Sequence, residues 1–538
     1  MQLLAHKDGT DHREAPAFSR APGLLWCGSY KQREKSIMNT SPLKTYLAET
    51  PAEKLDTAFV SWLANLEQVA EVAPEIAASI VKELEAQRTH LKLIASENYC
   101  SLNTQAAMGN LLTDKYAEGF PAHRYYGGCE NIDDIESVAA EEAKALFGAD
   151  HAYVQPHSGA DANMVAYWAI LSAKIEAPVL EKLGETNLSN LDDKQWAELR
   201  TALGNQKLMG LDYYSGGHLT HGYRQNVSAR MFEAHSYTVS KETGLLDYDA
   251  IEKQAMEIKP LILLTGYSAY PRAINFRRFR EIADKCGAVL MVDMAHFAGL
   301  VAGKVFTGDE DPVKWADVVT TTTHKTLRGP RGALVLCKAP FADYVNKGCP
   351  LVLGGPLPHM MAAKAVAFKE ARTQAYRDYA LRVRDNARTL AAELQSLGMT
   401  IQTGGTDNHL MLINVSSFGL TGRQAESAMS ECGITLNRNS LPFDPNGAWW
   451  TSGLRIGTPA VTTLGMGPAE MKEIARIIKL VLSASTPGKT DKGTVSKGKV
   501  VVDEAAKKEA VDAVKALLGK FVLYPELDLE LLKKYFVR

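Results

Sequence analysis

Lys325 stands between His324 and Thr326, at the end of four consecutive threonines (320–323) and just ahead of Gly329-Pro330. The apolar pair Val318-Val319 precedes the threonines, so the run reads as a buried strand that ends in a polar site. A lysine held in such a pocket is desolvated, loses affinity for its proton and becomes an amine nucleophile of the Schiff-base kind. Alone on a strand exit it is more often a solvated side chain; its neighbours decide. Asp293 closes a second apolar run, 288–292, and His296 follows three residues later. An acid at the carboxyl end of a buried parallel strand lies where α/β sheets place their ligands. The plain alternative is a helix cap beside a packed histidine. A buried carboxylate with a lysine one strand-turn-strand further on is what pyridoxal phosphate needs. The acid keeps the pyridine nitrogen protonated, and the amine forms the covalent link.

A phosphate needs backbone N–H donors and hydroxyls. Gln155-Pro156-His157-Ser158-Gly159-Ala160 precedes a helical segment at 161–172, and Gly354-Gly355-Pro356 forms a second small-residue loop. Either reads equally well as a plain turn. In the loop 216–221, His218 can stack on a flat ring; His218 and His221 as metal ligands lack further partners, and no metal is expected. Arg455 stands among small and apolar residues, where a planar carboxylate suits its paired donors, with a structural Arg–Asp pair as the alternative.

The elements that must position these residues read as α/β. Apolar runs at 261–264, 288–292 and 333–336 read as strands, with an amphipathic segment at 277–286 between the first two, which implies helical crossovers and a largely parallel sheet. A long helical stretch at 362–397 and a strand at 409–415 open a second α/β unit. The expected division is an irregular, disordered extension at 1–38, a helical segment at 39–90, a large domain at 91–360 and a small domain at 361–538. Within the large domain a polar insert spans about 173–209, where Asp192 and Gln195 resemble a capping box. The Ser/Thr/Gly/Lys-rich stretch 483–499 reads as a linker. Its near-match to a phosphate-binding loop fails at Val500, where Ser or Thr is required.

The 538 residues allow several domains, with 46% apolar and 23% charged residues and a net charge of −2. Such a balance carries no nucleic-acid footprint, and no apolar run reaches membrane-span length. The seven cysteines are scattered without C-x-x-C spacing, which suits a reducing compartment and a cytoplasmic location.

Longer blocks add to this. They begin at Leu93 (93–98), Lys115 (115–119), Arg124 (124–130), Gln155 (155–159), Gly216 (216–222), Val292 (292–296), Thr320 (320–332), Thr406 (406–410) and Ser452 (452–458). In this order the chain resembles serine hydroxymethyltransferase from about residue 91 to beyond Arg455. The resemblance implies an enzyme of the aspartate-aminotransferase fold (pyridoxal-phosphate fold type I) with a large and a small domain. It further implies exchange of a one-carbon unit between serine plus tetrahydrofolate and glycine plus 5,10-methylenetetrahydrofolate, with the cofactor held as an aldimine on Lys325. Asp293 would pair with the pyridinium, His218 would stack on the ring, and Ser268 and His296 would flank its phenolic oxygen. Ser158 and Gly159 would hold the phosphate. Arg455 would grip the substrate carboxylate, and Asn439 would contact the pterin. Ser96, Tyr116, Glu118 and Tyr126 match the substrate and proton-transfer group, with Glu118 as acid/base. The resemblance also implies a homodimer with shared sites, in which Tyr116 and Glu118 would cross the interface and Gly354 and Gly355 would serve the neighbouring subunit.

Four positions depart from the family pattern. Ala160 replaces a hydroxyl residue common in the phosphate loop, Tyr213 stands where Leu is frequent, and Trp449-Trp450 is bulkier than usual. The insert, the extension and the tail after about Pro525 also lie outside the compact pattern. A folate-independent aldolase of β-hydroxy amino acids needs the same lysine and aspartate, and a binding protein that kept the fold is a further alternative.

Overall fold

The computed structural model describes residues 41–537, and the extension expected at 1–38 lies outside them. After a short helix at Pro42–Glu49, the helices α1 (Thr57–Val72) and α2 (Pro74–Thr89) lead into the α/β body. Its centre is a seven-stranded sheet: β1 (His151–Tyr153), β2 (Lys207–Leu211), β3 (Glu233–Tyr237), β4 (Ile262–Gly266), β5 (Val289–Asp293), β6 (Val318–Thr322) and β7 (Ala333–Cys337), in spatial order β1-β7-β6-β5-β4-β2-β3. Every residue of β4 to β7 is buried. Alternate side chains go to opposite faces, as a pleated strand requires. Leu263, Leu290 and Leu334 enter one core, whereas Ile262, Met291 and Val335 enter the other. Two covered faces explain why these strands read as continuous apolar runs.

The pairs from β3 through β6 are parallel, as expected, but β7 runs antiparallel to both β6 and β1. The connection 323–332 is too short for a crossover helix, so the chain must turn back on itself. Lys325 lies in that reversal.

Helix α3 (Gly159–Leu171) begins directly after the expected phosphate loop, with Ser158 as its cap. It continues without a break through a π-helical turn, Ser172–Glu176, into Ala177–Leu183. The insert expected from residue 173 therefore begins as an extension of α3. It holds α4 (Asp193–Gly204), whose capping box between Asp192 and Gln195 is present, and gives way at Lys207 to β2 of the central sheet. Composition alone missed that strand because its polar first residue masks an otherwise buried run.

The single helical stretch expected at 362–397 is two helices, α5 (Pro358–Ala371) and α6 (Gln374–Ser396). Thr373 breaks it by capping the second, its Oγ1 accepting from Tyr376 N at 3.3 Å. Beyond α6 the strands β8 (Thr400–Ile401), β9 (Leu410–Asn414), β10 (Asn437–Asn439) and β11 (Gly453–Gly457) form an antiparallel sheet in the order β8-β9-β11-β10. Leu91 and Leu93 pack into the core beneath it, and Leu91 pairs in parallel with Ile434. The stretch expected to be a linker is a β hairpin, β12 (Ser485–Lys489) with β13 (Val495–Val502). Its valines 495 and 500–502 carry the strand propensity that Ser, Gly and Lys disguise. The near-match to a phosphate loop lies in this hairpin, most of it within strand β13. The tail ends in α7 (Leu529–Phe536), which packs on α2 and is tied down by Arg88 donating to the carbonyls of Leu523, Tyr524 and Leu527.

Candidate active site

Lys325 owes its direction to a loop fastened from several sides. Gly329 N donates to Thr323 O at 2.7 Å, Thr323 Oγ1 to Pro330 O at 2.6 Å and Thr326 Oγ1 to His296 O at 2.7 Å. Asn98 Nδ2, from the 93–98 block, donates to the Lys325 carbonyl at 3.0 Å. Arg328, at φ 62°, lays its guanidinium over the Tyr379 ring with 4.9 Å to the centroid. The backbone is fixed while the side chain enters the cavity unpaired: among the described residues no carboxylate lies within salt-bridge reach of it. Burial lowers the amine's pKa to about 8, against the pull of Asp293 and with help from Arg455 and Arg331.

Asp293 is the last residue of β5 and is buried. Its Oδ1 accepts from Ala295 N at 3.0 Å, and its Oδ2 accepts from Asn163 Nδ2 at 3.0 Å and His221 Nε2 at 3.2 Å. An ionised carboxylate only accepts, so His221 carries its proton on Nε2. Burial by itself would push this carboxyl up. The hydrogen bond from His221, with His218 and Lys325 nearby, outweighs it and holds the acid well below the usual carboxylate range. Asn163 is itself held by Thr320, whose Oγ1 donates to Asn163 Oδ1 at 2.6 Å. His218 Nδ1 meets Thr220 Oγ1 at 2.7 Å, and burial lowers the pKa of His218 to about 4, so its ring is neutral near pH 7. The ligand atoms of His218, His221 and Asp293 lie within 4.8 Å of one another. With His221 spent on Asp293 and His218 on Thr220, the trio is a hydrogen-bonded support for an acid.

Two adjoining cavities share Ser96, His218, Ser268 and Lys325. One, of about 370 Å³, is also lined by Ser158, Gly159, Ala160, Asp293, His324 and Arg331. The other, of about 380 Å³, adds His296, Asn439 and Arg455. Arg455 Nε donates to Asn437 Oδ1 at 3.1 Å and Nη1 to Ser268 O at 2.7 Å. Among the described residues it has no acidic partner, so the Arg–Asp alternative fails, and burial lowers its pKa to about 10. His296 and His409 stack, with Nδ1 to Nε2 at 3.3 Å, and burial keeps both neutral.

The remaining expected residues lie elsewhere in the chain. Tyr126 donates to Glu118 Oε2 at 3.2 Å and Tyr116 to Glu118 Oε1 at 3.4 Å, on an exposed patch. Gly355 borders it: a Cβ there would be 3.5 Å from Tyr116 Cζ. Gly354 precedes it, its carbonyl accepting from Cys349 Sγ. None of the five lines either cavity of this copy.

Sequence reading missed Asn163 and Thr220, and it saw His221 only as a metal candidate. The one available signal was an asparagine inside an apolar helical run, fully buried on α3. It also left His324 without a part and read Arg331 only as closing the turn. Both line the Ser158 cavity, and His324 Nδ1 is buried without a partner among the described residues.

These residues fit pyridoxal phosphate. The N-terminus of α3 presents free N–H groups. Gly159 leaves a cradle that a Cβ would fill, because Thr322 Cγ2 would lie 2.9 Å from it. Across the cavity stand an ionised acid and an unpaired amine. Fold and site together define a pyridoxal-phosphate enzyme of fold type I. The family model for serine hydroxymethyltransferase matches residues 69–181 and 199–478, with its break inside the expected insert. Curated serine hydroxymethyltransferases similar to the chain include that of Treponema pallidum, 67% identical over 501 residues (93% of this chain, 87% of the relative). That of Cutibacterium acnes is 55% identical over 479 residues (89% and 97%), and that of Chlamydia muridarum 52% over 495 (92% and 100%). The chain belongs to the serine hydroxymethyltransferase family, whose members use pyridoxal phosphate with tetrahydrofolate as co-substrate.

Proposed function

We propose that this chain exchanges a hydroxymethyl carbon between serine and tetrahydrofolate, giving glycine and 5,10-methylenetetrahydrofolate, with the site residues in the following parts. Lys325 Nζ would hold the cofactor, its amine standing free of any acid partner among the described residues. Bound pyridoxal phosphate supplies an electron sink for the pair left on the α-carbon when the hydroxymethyl group departs. Asp293, kept ionised by Asn163 and His221, holds the proton on the pyridine nitrogen. His218 covers the ring face, and the neutral state of its imidazole lets it stack without repelling that proton. Ser158, Gly159 and the α3 N-terminus take the phosphate, with His324 and Arg331 beside them. Arg455 orients the amino-acid carboxylate, Ser96, Ser268 and His296 border the reacting end, and Asn439 contacts the pterin.

Glu118, Tyr116 and Tyr126 serve the cavity of a second copy, with Gly354 and Gly355 beside them, so the working unit is a homodimer. Glu118 moves the proton of the serine hydroxyl. All six cysteines among the described residues are free, which supports a reducing, cytoplasmic setting.

The observation that carries this reading is one cavity system holding a depressed lysine amine, an ionised buried acid and a guanidinium with no acidic partner. Absorption spectra of the protein with pyridoxal phosphate and glycine, before and after tetrahydrofolate, test it. A visible band that a long-wavelength band joins on folate addition is expected. No visible band overturns the cofactor assignment. A band indifferent to folate, with folate-independent cleavage of β-hydroxy amino acids, establishes the aldolase instead.

A further inference from the structure

Lys364, in the middle of α5, is 1% exposed. Its Nζ donates to Val154 O at 2.5 Å, Ala333 O at 2.9 Å and Pro156 O at 3.0 Å. An ammonium has three N–H donors and no acceptor, so three carbonyls match the charged form and leave no proton idle. A neutral amine would turn its lone pair on one of those oxygens. Among the described residues no carboxylate lies within salt-bridge reach of Nζ. A buried cation without an acid partner costs several kcal/mol unless another charge answers it.

The three carbonyls belong to the frame of the cavity. Val154 and Pro156 lie on the exit from β1, and Ser158 follows two residues later. Ala333 opens β7, whose entry closes the Lys325 loop. Pro156 O also accepts from Ala333 N at 3.0 Å, so Lys364 tightens a junction already made between the two segments. Gly332 completes the fit, since a Cβ there would be 2.6 Å from Lys364 Cε. Burial pulls the Lys364 pKa down to about 7, opposed by Glu136 and Asp161. Glu136 is itself paired with Arg124, and neither it nor Asp161 comes within salt-bridge reach, so no acid is committed to the ammonium.

We propose that Lys364 is a positioning residue for the phosphate end of the cofactor, clamping the entry to the Ser158 loop against the start of β7, its uncompensated positive charge answered by the phosphate dianion. It does not line the cavity and acts from behind the loop. The inference rests on the pyridoxal-phosphate reading above and extends it to a residue that touches neither cofactor nor substrate.

The test compares pyridoxal phosphate with pyridoxal, which lacks the phosphate, in equilibrium titrations of the full-length wild type and Lys364→Met apoproteins. Weakening of pyridoxal phosphate by about tenfold or more is expected, the scale of one lost charge-assisted interaction. Pyridoxal should change less than about twofold. Equal losses for both ligands mark a purely structural lysine and overturn the proposal, as does no loss for either. If Lys364→Met fails to fold, phosphorus NMR of the wild-type holoprotein decides: a bound phosphate that stays dianionic well below a free phosphate monoester's second pKa of about 6 supports the proposal, and one that titrates as in water overturns it. A wild type that binds no pyridoxal phosphate overturns the parent reading as well, whereas wild-type binding matched by Lys364→Met removes this inference alone.

Discussion

Replacing Arg455 with lysine keeps the positive charge and removes the fork. A guanidinium carries five N–H donors. Here Nε spends one on Asn437 and Nη1 one on Ser268 O, so three donors, one on Nη1 and two on Nη2, remain in one plane for an incoming carboxylate. An ammonium cannot hold both fixed partners and present two parallel donors. The variant therefore loses at least one charge-assisted hydrogen bond to the substrate, worth about 1.5–3 kcal/mol. At 1.4 kcal/mol per tenfold, this corresponds to a rise in the serine KM of about ten- to a hundredfold. The carboxylate keeps its charge throughout the reaction, so the loss is largely uniform binding and falls on KM more than on kcat. Steady-state kinetics at saturating tetrahydrofolate measure the split, with melting temperature as the folding control. Discrimination between serine and serinamide, which has no carboxylate, should shrink in parallel. A serine KM within about threefold of wild type, in a folded variant, would refute the assignment of Arg455 to the carboxylate.

Two further expectations follow from the same cavities. In the apoprotein, uptake of pyridoxal should accelerate with pH through about 8, the value to which burial lowers Lys325. The neutral amine is then about a tenth of the total at pH 7, against well under a thousandth for an ordinary lysine. Because the folded pKa lies below the unfolded one, the unfolded chain binds more protons between about 8 and 10.4, and this group's contribution to stability rises with pH across that window. A rate profile centred near 10 would contradict it. For the second expectation, Lys325→Ala and Glu118→Gln are each expected to abolish serine turnover, yet mixed and reassembled they should recover about a quarter of wild-type activity from the hybrid's single intact site. Recovery of none would place Glu118 with the Lys325 of its own chain.

Much of the chemistry was legible because it sits at strand ends. The apolar runs before Asp293 and Lys325 identify buried strands, and residues at their carboxyl ends are forced to one edge of the sheet. Within such a run the pleat's period of two sends Leu290 and Met291 to opposite cores, which the structure shows. The hairpin at 485–502 was not legible, because its glycines and lysines outweigh its valines in composition while pairing between two short strands does not appear in either one. The break at Thr373 was missed for a related reason: a threonine that caps a helix and one that rides inside it look alike until the direction of the chain is known.

By itself the sequence marked the buried strands that end at Asp293 and run into the Lys325 loop, and it offered the 155–160 loop as one candidate for a phosphate, since each depends on residues close in the chain. Only the tertiary structure decided what Asp293 is bonded to, which bonds leave Arg455 free, and that Glu118 and Tyr126 stand apart from the cavity of their own copy. Asn163 and His221 reach Asp293 from 130 and 72 residues away, and Arg455 reaches Ser268 from 187. Hydrogen bonds act over about 3 Å, and only the packing of α3 and the two sheets fixes which groups come within that range.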